Sequence, residues 1–138
     1  LVTATLAFIS TAAGAKASFN VSLLKGTWAE SSDHKYACRP ENLHQHFEMS
    51  SDRSTLILRN DRKWRNNSGH ELEQYSATIV REGSNVLVIR YGPELKDIPD
   101  EYREWEMRFI GPGTYRWRAT SWPAGSYNGV IGVKCAAE

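Results

Sequence analysis

Short stretches of alternating apolar and polar residues dominate the chain from about residue 26 onward. The stretch 43–50 is an example, with Phe47 and Met49 at odd positions and His46 and Glu48 at even positions. Such alternation places successive side chains on opposite faces of a β-strand, and we expect the odd face to be buried. Helical periodicity is almost absent, and Gly, Pro, Asn and Asp separate the runs. The pattern predicts an all-β fold, either a sandwich or a barrel.

Eight short strands are predicted, over residues 26–30, 43–50, 54–60, 73–81, 85–91, 101–110, 114–122 and 127–135. Most connections between them are short, which favours antiparallel neighbours in meander order. A flat sheet would leave two exposed edges, and closure into an antiparallel up-and-down eight-stranded barrel removes both. The stretch 66–69 is predicted as a loop. The stretch 92–100 is predicted as a longer loop over one mouth of the barrel, with a turn of helix over 93–98 that Pro99 ends.

The fourth and fifth strands are predicted to form a hairpin with a two-residue turn at 83–84, because glycine suits the first position of such a turn. This register pairs Ile79 with Val88 and Val80 with Leu87. The fifth strand is apolar at both odd and even positions, which predicts that it is the most covered strand of the sheet.

The sixth and seventh strands are predicted to form a second hairpin around a three-residue loop at 111–113. This register pairs Phe109 with Tyr115, Met107 with Trp117, and Glu106 with Arg118. A shift by one residue would place tryptophan opposite arginine and mix the two faces, so the pattern favours this register. Glu104 and Glu106 share the outer face, where ion pairing with Arg118 is expected.

The inward face of this hairpin carries the candidate ligand-binding residues, which are Trp105, Met107, Phe109, Tyr115 and Trp117. Inward residues of a small barrel either fill its centre or line a cavity, and the sequence leaves both alternatives open. Arg103 has the same parity as Trp105 and lies near the loop at 92–100. We therefore expect Arg103 to meet the carboxylate of a ligand at the open mouth.

Residues 1–17 are interpreted as the remaining part of a secretory signal peptide, and residues 18–138 as a single barrel domain. The first ten residues are apolar, and Ala15 and Ala17 supply the small residues that a signal peptidase requires. The protein is therefore expected to be secreted or periplasmic. No membrane anchor is expected, because a membrane-spanning helix needs about 20 apolar residues.

Removal of residues 1–17 would take away Lys16 and lower the Lys and Arg count from 17 to 16, against 16 Asp and Glu residues. A domain with no net charge exerts no long-range attraction on nucleic acid, so no nucleic-acid partner is expected. The only cysteines are Cys38 and Cys135. In an oxidising compartment such a pair is usually joined, which predicts a structural disulfide.

The segment Gly26-Thr27-Trp28 opens the first predicted strand and resembles the G-x-W signature of the lipocalins. The resemblance implies structural roles for Gly26 and Trp28, with the tryptophan plugging the closed end of the barrel. It also implies a basic residue across the indole, for which Lys134 is the candidate and Arg118 the second choice. The T-D-Y motif of the family is missing between the sixth and seventh strands. The expected function is that of an exported protein holding a small apolar or amphipathic ligand.

A second resemblance supports an alternative function. Tyr36-Ala37-Cys38, together with a late cysteine, is similar to exported bacterial lysozyme inhibitors, which are also small disulfide-closed barrels. The alternative is therefore a protein-interaction module or enzyme inhibitor that acts through loops or the outer face of a solid barrel.

Metal binding and catalysis receive little support. His44 and His46 project from the same face of a strand and are weak candidates for metal ligands if Glu48, His34 or His70 supplies a third. The alternative interpretation is a solvated outer face. No nucleophile, base and orienting group form a recognisable catalytic set, so neither enzymatic activity nor a cofactor is expected.

Overall fold

A computed structural model describes residues 17–65, 71–93 and 95–136. Its eight strands are β1 (Thr27–Ser31), β2 (His44–Met49), β3 (Thr55–Arg65), β4 (Glu71–Gly83), β5 (Val86–Tyr91), β6 (Glu104–Gly111), β7 (Thr114–Ala119) and β8 (Ile131–Cys135). Each strand pairs with the next in antiparallel orientation, and β8 pairs with β1 to close the barrel. The predicted all-β, up-and-down eight-stranded barrel is confirmed. The predicted signal segment up to residue 16 and the predicted loop at 66–69 lie outside the described residues.

Three short 3₁₀ helices, Val21–Leu24, His34–Tyr36 and Asp100–Tyr102, accompany the strands. In the part of the chain that the structure describes, no helix has the length and apolar character needed to cross a membrane. Of the predicted turn of helix over 93–98, the described residues 93 and 95–98 form turns and no helix, and a 3₁₀ helix begins after Pro99, at Asp100. The guanidinium of Arg103 binds the carbonyl oxygens of Gly92, Leu95 and Lys96, which holds this stretch as separate turns.

The β6–β7 hairpin has the register that the alternation predicts. Phe109 lies opposite Tyr115, Met107 opposite Trp117, and Glu106 opposite Arg118. The predicted three-residue loop is wrong, because Gly111 pairs with Thr114 across a two-residue turn. The extra residue is Ile110, which bulges out of the strand and is exposed. The bulge compensates for the shorter turn and leaves the pairing of the aromatic residues unchanged.

The predicted register of the β4–β5 hairpin is wrong. Ile79 pairs with Ile89 and Arg81 with Val88, while Val80 bulges between them and is exposed. The turn residues are Ser84 and Asn85, because Gly83 already pairs with Val86. Contacts with distant parts of the chain hold this turn. The carbonyl of Ser84 accepts from the N–H of Asn20, and the side chain of Asn85 donates to the carbonyl of Phe109.

One half of the barrel interior, here called the closed half, is filled by side chains that include Trp28, Phe47, Leu56, Leu87, Met107, Phe109 and Tyr115. Phe19 and Leu24, from the segment before β1, are buried against this cluster. The guanidinium of Arg53 ties that segment to the barrel by donating to the carbonyl of Phe19 at 3.0 Å and to Glu82. The closed half is therefore a conventional hydrophobic core.

Trp28, which with Gly26 carries the G-x-W resemblance, is fully buried in the closed half. The indole N–H of Trp28 donates to the carbonyl of Leu24 at 3.1 Å, and the ammonium of Lys134 lies 5.6 Å from the centre of the indole ring. Gly26 has a φ of +104°, and a Cβ atom there would lie 2.6 Å from Cε of Lys134. Only glycine accommodates both this backbone conformation and this close approach.

The predicted disulfide joins Cys38, after the second 3₁₀ helix, to Cys135 at the end of β8, with 5.5 Å between the Cα atoms. The two cysteines are 97 residues apart in the sequence. Closing a loop of this length restricts the unfolded chain and contributes about 4–5 kcal/mol in the loop-entropy treatment.

Candidate ligand-binding pocket

The second half of the barrel interior, here called the open half, contains a cavity of about 490 Å³. Leu95, Ile98 and Pro99 of the loop between β5 and β6 lie at its mouth. Trp64 and Tyr102 also line the mouth and are themselves exposed, so the cavity reaches the surface. The cavity therefore opens at the end of the barrel where the sequence predicts a covering loop.

Glu30 forms the floor of this cavity. It follows Trp28 by two residues in β1 and therefore projects from the same, inward face. The hydroxyl of Tyr115 and the indole N–H of Trp117 each donate to Oε1 of Glu30 at 2.8 Å. Burial raises the pKa of the Glu30 carboxyl group, and the two hydrogen bonds offset only part of that effect. The sequence signal for Glu30 is its parity with Trp28, but Glu30 is not among the predicted site residues.

Two amides extend the polar floor. Gln45 of β2 is paired in the sheet with Asn60 of β3, and both line the cavity. The hydroxyl of Tyr115 lies 3.4 Å from Oε1 of Gln45 as well as within hydrogen-bond distance of Glu30. Oδ1 of Asn60 is buried and accepts no hydrogen bond from the described residues. The floor therefore presents two acceptor oxygens to which no described residue donates, Oε2 of Glu30 and Oδ1 of Asn60.

Aromatic rings form much of the cavity wall, from Tyr75, Tyr91, Trp105 and Trp117. The indole N–H of Trp105 donates to the carbonyl of Tyr102 at 2.7 Å, which fixes the ring beside the mouth. Burial raises the pKa of Tyr91 far above its ordinary value, so its hydroxyl is neutral at physiological pH. These rings offer an apolar surface with a few fixed polar atoms, which is typical of small-molecule sites.

The structure divides the predicted lining residues between the two halves. Trp105 and Trp117 line the cavity. Met107 and Phe109 are buried in the closed half, and Tyr115 contributes to the cavity only by holding Glu30 with its hydroxyl. Parity along a strand predicts which residues point inward, but it does not predict their depth in the barrel.

Arg103 lies outside this cavity. Its guanidinium donates to the carbonyls of Gly92 and Leu95 at 2.9 and 3.0 Å and lies 3.5 Å from Asp100. It lines a separate surface depression of about 480 Å³ together with Arg90 and Lys96. In this structure Arg103 positions the loop, and through Leu95 it shapes the mouth of the main cavity.

The outer face of the β6–β7 hairpin carries the expected ion pair. Oε2 of Glu106 accepts from Arg118 at 3.2 Å and Oε1 accepts from Arg108 at 3.0 Å. Glu106 is only 5% exposed, so this pair is more deeply buried than a surface ion pair. Burial opposes ionisation of Glu106, but hydrogen bonds from Arg108 and Arg118 outweigh it and lower the pKa of the carboxyl group.

The weak metal candidates do not assemble into a site among the described residues, where no three His, Cys, Asp or Glu side chains come together in a way that could hold a metal ion. His46 is exposed, as the alternation predicts. Nε2 of His44 is buried and has no hydrogen-bond partner in the described part of the chain. The possible third ligand His70 lies outside the described residues.

Comparison of the chain with protein-family models, with curated proteins and with solved structures finds no significant match in any of the three.

Proposed function

We propose that this is an exported, lipocalin-like binding protein that holds a small apolar or amphipathic ligand in the open half of its barrel. The observation that carries the proposal is the cavity of about 490 Å³, which lies within the usual 300–1,000 Å³ of small-molecule sites. Its walls are aromatic and its polar groups converge on the floor, so a ligand with an apolar body and one polar end suits it. The Cys38–Cys135 disulfide supports export to an oxidising compartment.

The experiment is a titration of the mature protein with the neutral dye N-phenyl-1-naphthylamine, followed by dye fluorescence and by quenching of the tryptophan fluorescence. Asn60→Trp would fill the cavity from its floor. Arg59→Trp is the matched control, because Arg59 is exposed and precedes Asn60 on the same strand with opposite parity. We expect the native protein and Arg59→Trp to bind the dye, and Asn60→Trp to bind it at least tenfold more weakly with a similar Tm.

Equal dye binding by all three proteins would place the dye on the outer surface and contradict the proposal. Failure of the native protein to bind the dye or any other small apolar or amphipathic ligand would also contradict it. Either result would favour the alternative of an inhibitor or protein-interaction module.

A further inference from the structure

The lining of the cavity contains an acidic residue and no described basic one. Glu30 lies on its floor, and no Lys, Arg or His side chain is among the described residues that line it. Glu106, on the outer face, shows the usual arrangement, in which a buried carboxylate is paired with arginines. A ligand that brings a positive charge would therefore gain from pairing with the ionised carboxyl group of Glu30, which no described basic side chain offsets.

The hydrogen-bonding capacity of the floor is also unbalanced. Both donors to Glu30 bind Oε1, and no described residue donates to Oε2. Oδ1 of Asn60 is buried without a donor in the same part of the chain. Gln45 connects these groups, since it is paired with Asn60 in the sheet and lies near the hydroxyl of Tyr115. A complementary ligand group would therefore donate several hydrogen bonds as well as carry positive charge.

The aromatic rings of the cavity wall suit the same chemistry. The faces of Tyr75, Tyr91, Trp105 and Trp117 carry partial negative charge, and a cation close to such a face is stabilised. An anionic head group would instead meet the Glu30 carboxylate and these ring faces, with no described basic side chain in the lining to pair with it.

We infer that the ligand carries a primary ammonium group, which binds the Glu30 carboxylate on the cavity floor while the aromatic walls hold an apolar body. This inference rests on the proposed ligand-binding function and specifies the class of ligand. A primary ammonium supplies a charge for Glu30 and three N–H donors for the unfilled acceptors.

The affinity for such a ligand depends on the ionisation of Glu30. The other titratable groups that face it are Tyr75, Tyr91 and Tyr115, from β4, β5 and β7, and burial raises the pKa of each. They remain neutral at physiological pH, and Gln45, Asn60 and the tryptophans do not titrate. Ammonium binding should therefore weaken as the pH falls through the pKa of Glu30, and binding of a neutral analogue should not.

The test compares three ligands of similar shape by isothermal titration calorimetry at neutral pH. The ligands are tryptamine, which is a primary ammonium, tryptophol, which is neutral, and indole-3-propionate, which is anionic. We expect tryptamine to bind at least tenfold more tightly than tryptophol, and indole-3-propionate to bind most weakly. Decylamine and decanol, measured by displacement of N-phenyl-1-naphthylamine, repeat the comparison with a flexible body.

Glu30→Gln is the informative variant, because glutamine retains an oxygen that accepts from Tyr115 and Trp117. It should lose at least tenfold in tryptamine affinity and change tryptophol affinity less than threefold. Glu48→Gln is the matched control, since Glu48 is an exposed carboxylate on the outer face of β2, paired with Arg59 at 3.4 Å, and this variant should bind like the native protein.

The outcomes separate the two proposals. If neutral ligands bind but neither amine binds more tightly than its alcohol, or if Glu30→Gln does not change amine affinity, the ammonium inference is overturned and the binding function stands. If neither the dye nor any of the five ligands binds the native protein, the binding function fails and the ammonium inference fails with it.

Discussion

The closed and open halves of the barrel are built from the same strands but differ in how their interiors are filled. In the closed half, aromatic rings pack against one another, with ring centres 5.1 Å apart for Trp28 and Tyr115 and 5.5 Å apart for Phe47 and Tyr115. In the open half, inward positions of the same strands carry Glu30 and Gln45, and the walls enclose a cavity of about 490 Å³. In β1, the fully buried Trp28 is followed two positions later by Glu30, whose carboxyl group faces the cavity. The closed half supplies stability, and the open half retains volume and unpaired polar atoms that a ligand can use.

Two carboxylates show the same contrast in electrostatic terms. Glu106, on the outer face, is paired with two arginines and its pKa is lowered. Glu30, in the open half, has hydrogen bonds but no described cation beside it, and its pKa is raised. A protein optimised for stability alone would not place an unpaired carboxylate in its interior.

The largest effect on the free energy of unfolding is expected when a tryptophan in each half of the barrel is replaced by alanine. Trp28→Ala should lower the free energy of unfolding by about 3–5 kcal/mol, because it opens a cavity in a packed core. Trp105→Ala should cost about 1–2 kcal/mol, because Trp105 is half-buried and already borders empty space. Urea denaturation of both variants measures the difference. Equal costs would contradict the division of the interior into a packed and an open half.

A smaller effect is expected where the two halves meet. A Cβ atom at Gly132 would overlap the ring of Tyr115, so Gly132→Ala must displace that ring. Overpacking of this kind costs about 1–3 kcal/mol. The displacement should also loosen the hydrogen bond from Tyr115 to Glu30 and weaken ligand binding.

A double-mutant cycle with Tyr115→Leu isolates this contact. The cost of Gly132→Ala should fall by at least half in the Tyr115→Leu background, since the smaller side chain leaves room for the added methyl group. An unchanged cost would mean that the Tyr115 ring does not limit the size of residue 132.

The smallest effect on stability is expected when Glu30 or Glu106 is replaced by glutamine. The two substitutions should change stability at pH 7 in opposite directions. The raised pKa of Glu30 means that the folded protein holds this proton more tightly than the unfolded chain does. Glu30 therefore reduces stability as the pH rises from about 4.5 through its folded pKa. Glu30→Gln should be more stable than the native protein at pH 7 and equally stable below about pH 4.

Glu106 should behave in the opposite way, because its pKa is lowered in the folded state. Its contribution is present above about pH 4.5 and is lost as the pH falls through the folded pKa. Glu106→Gln should therefore lower stability at pH 7, and the loss should shrink in acid. Thermal unfolding of both variants between pH 3 and pH 7 measures this, with about 1 kcal/mol corresponding to about 4 °C in Tm. Changes of the same sign at pH 7 would contradict the contrast between the two carboxylates.

Features that follow from which residues must share a face of the sheet, or from a short sequence motif, were predictable from the sequence. The β6–β7 register follows from the need to keep Met107 and Trp117 on one face and Glu106 and Arg118 on the other. The packing of Lys134 across Trp28 followed from the resemblance at Gly26-Thr27-Trp28. The β4–β5 register was not predictable, because contacts of its turn with distant residues and the bulge at Val80 decide it.

The candidate site was only partly predictable, because the depth of its residues in the barrel also depends on contacts with distant parts of the chain. The inward direction of Trp105 and Trp117 follows from alternation, and both line the cavity. The same alternation selects Phe109, which is buried in the closed half. Glu30 points inward by parity with Trp28, but nothing local distinguishes it from an acidic residue at the end of a strand. Its importance depends on the absence of a basic partner among its described neighbours, which are far from it in the chain.

The sequence by itself determined the period-two alternation, the closure of the sheet into a barrel and the pairing of the two cysteines, because these depend on residue type and spacing. Only the tertiary structure decided which half of the interior is filled. Phe19 and Leu24 pack into one end, whereas Arg103 holds the loop at the other end so that the cavity beneath it stays open. Alternation specifies the face of the sheet on which a side chain lies. Its depth along the barrel depends on strand tilt, stagger and the segments that cover each end, which are set by contacts between distant residues.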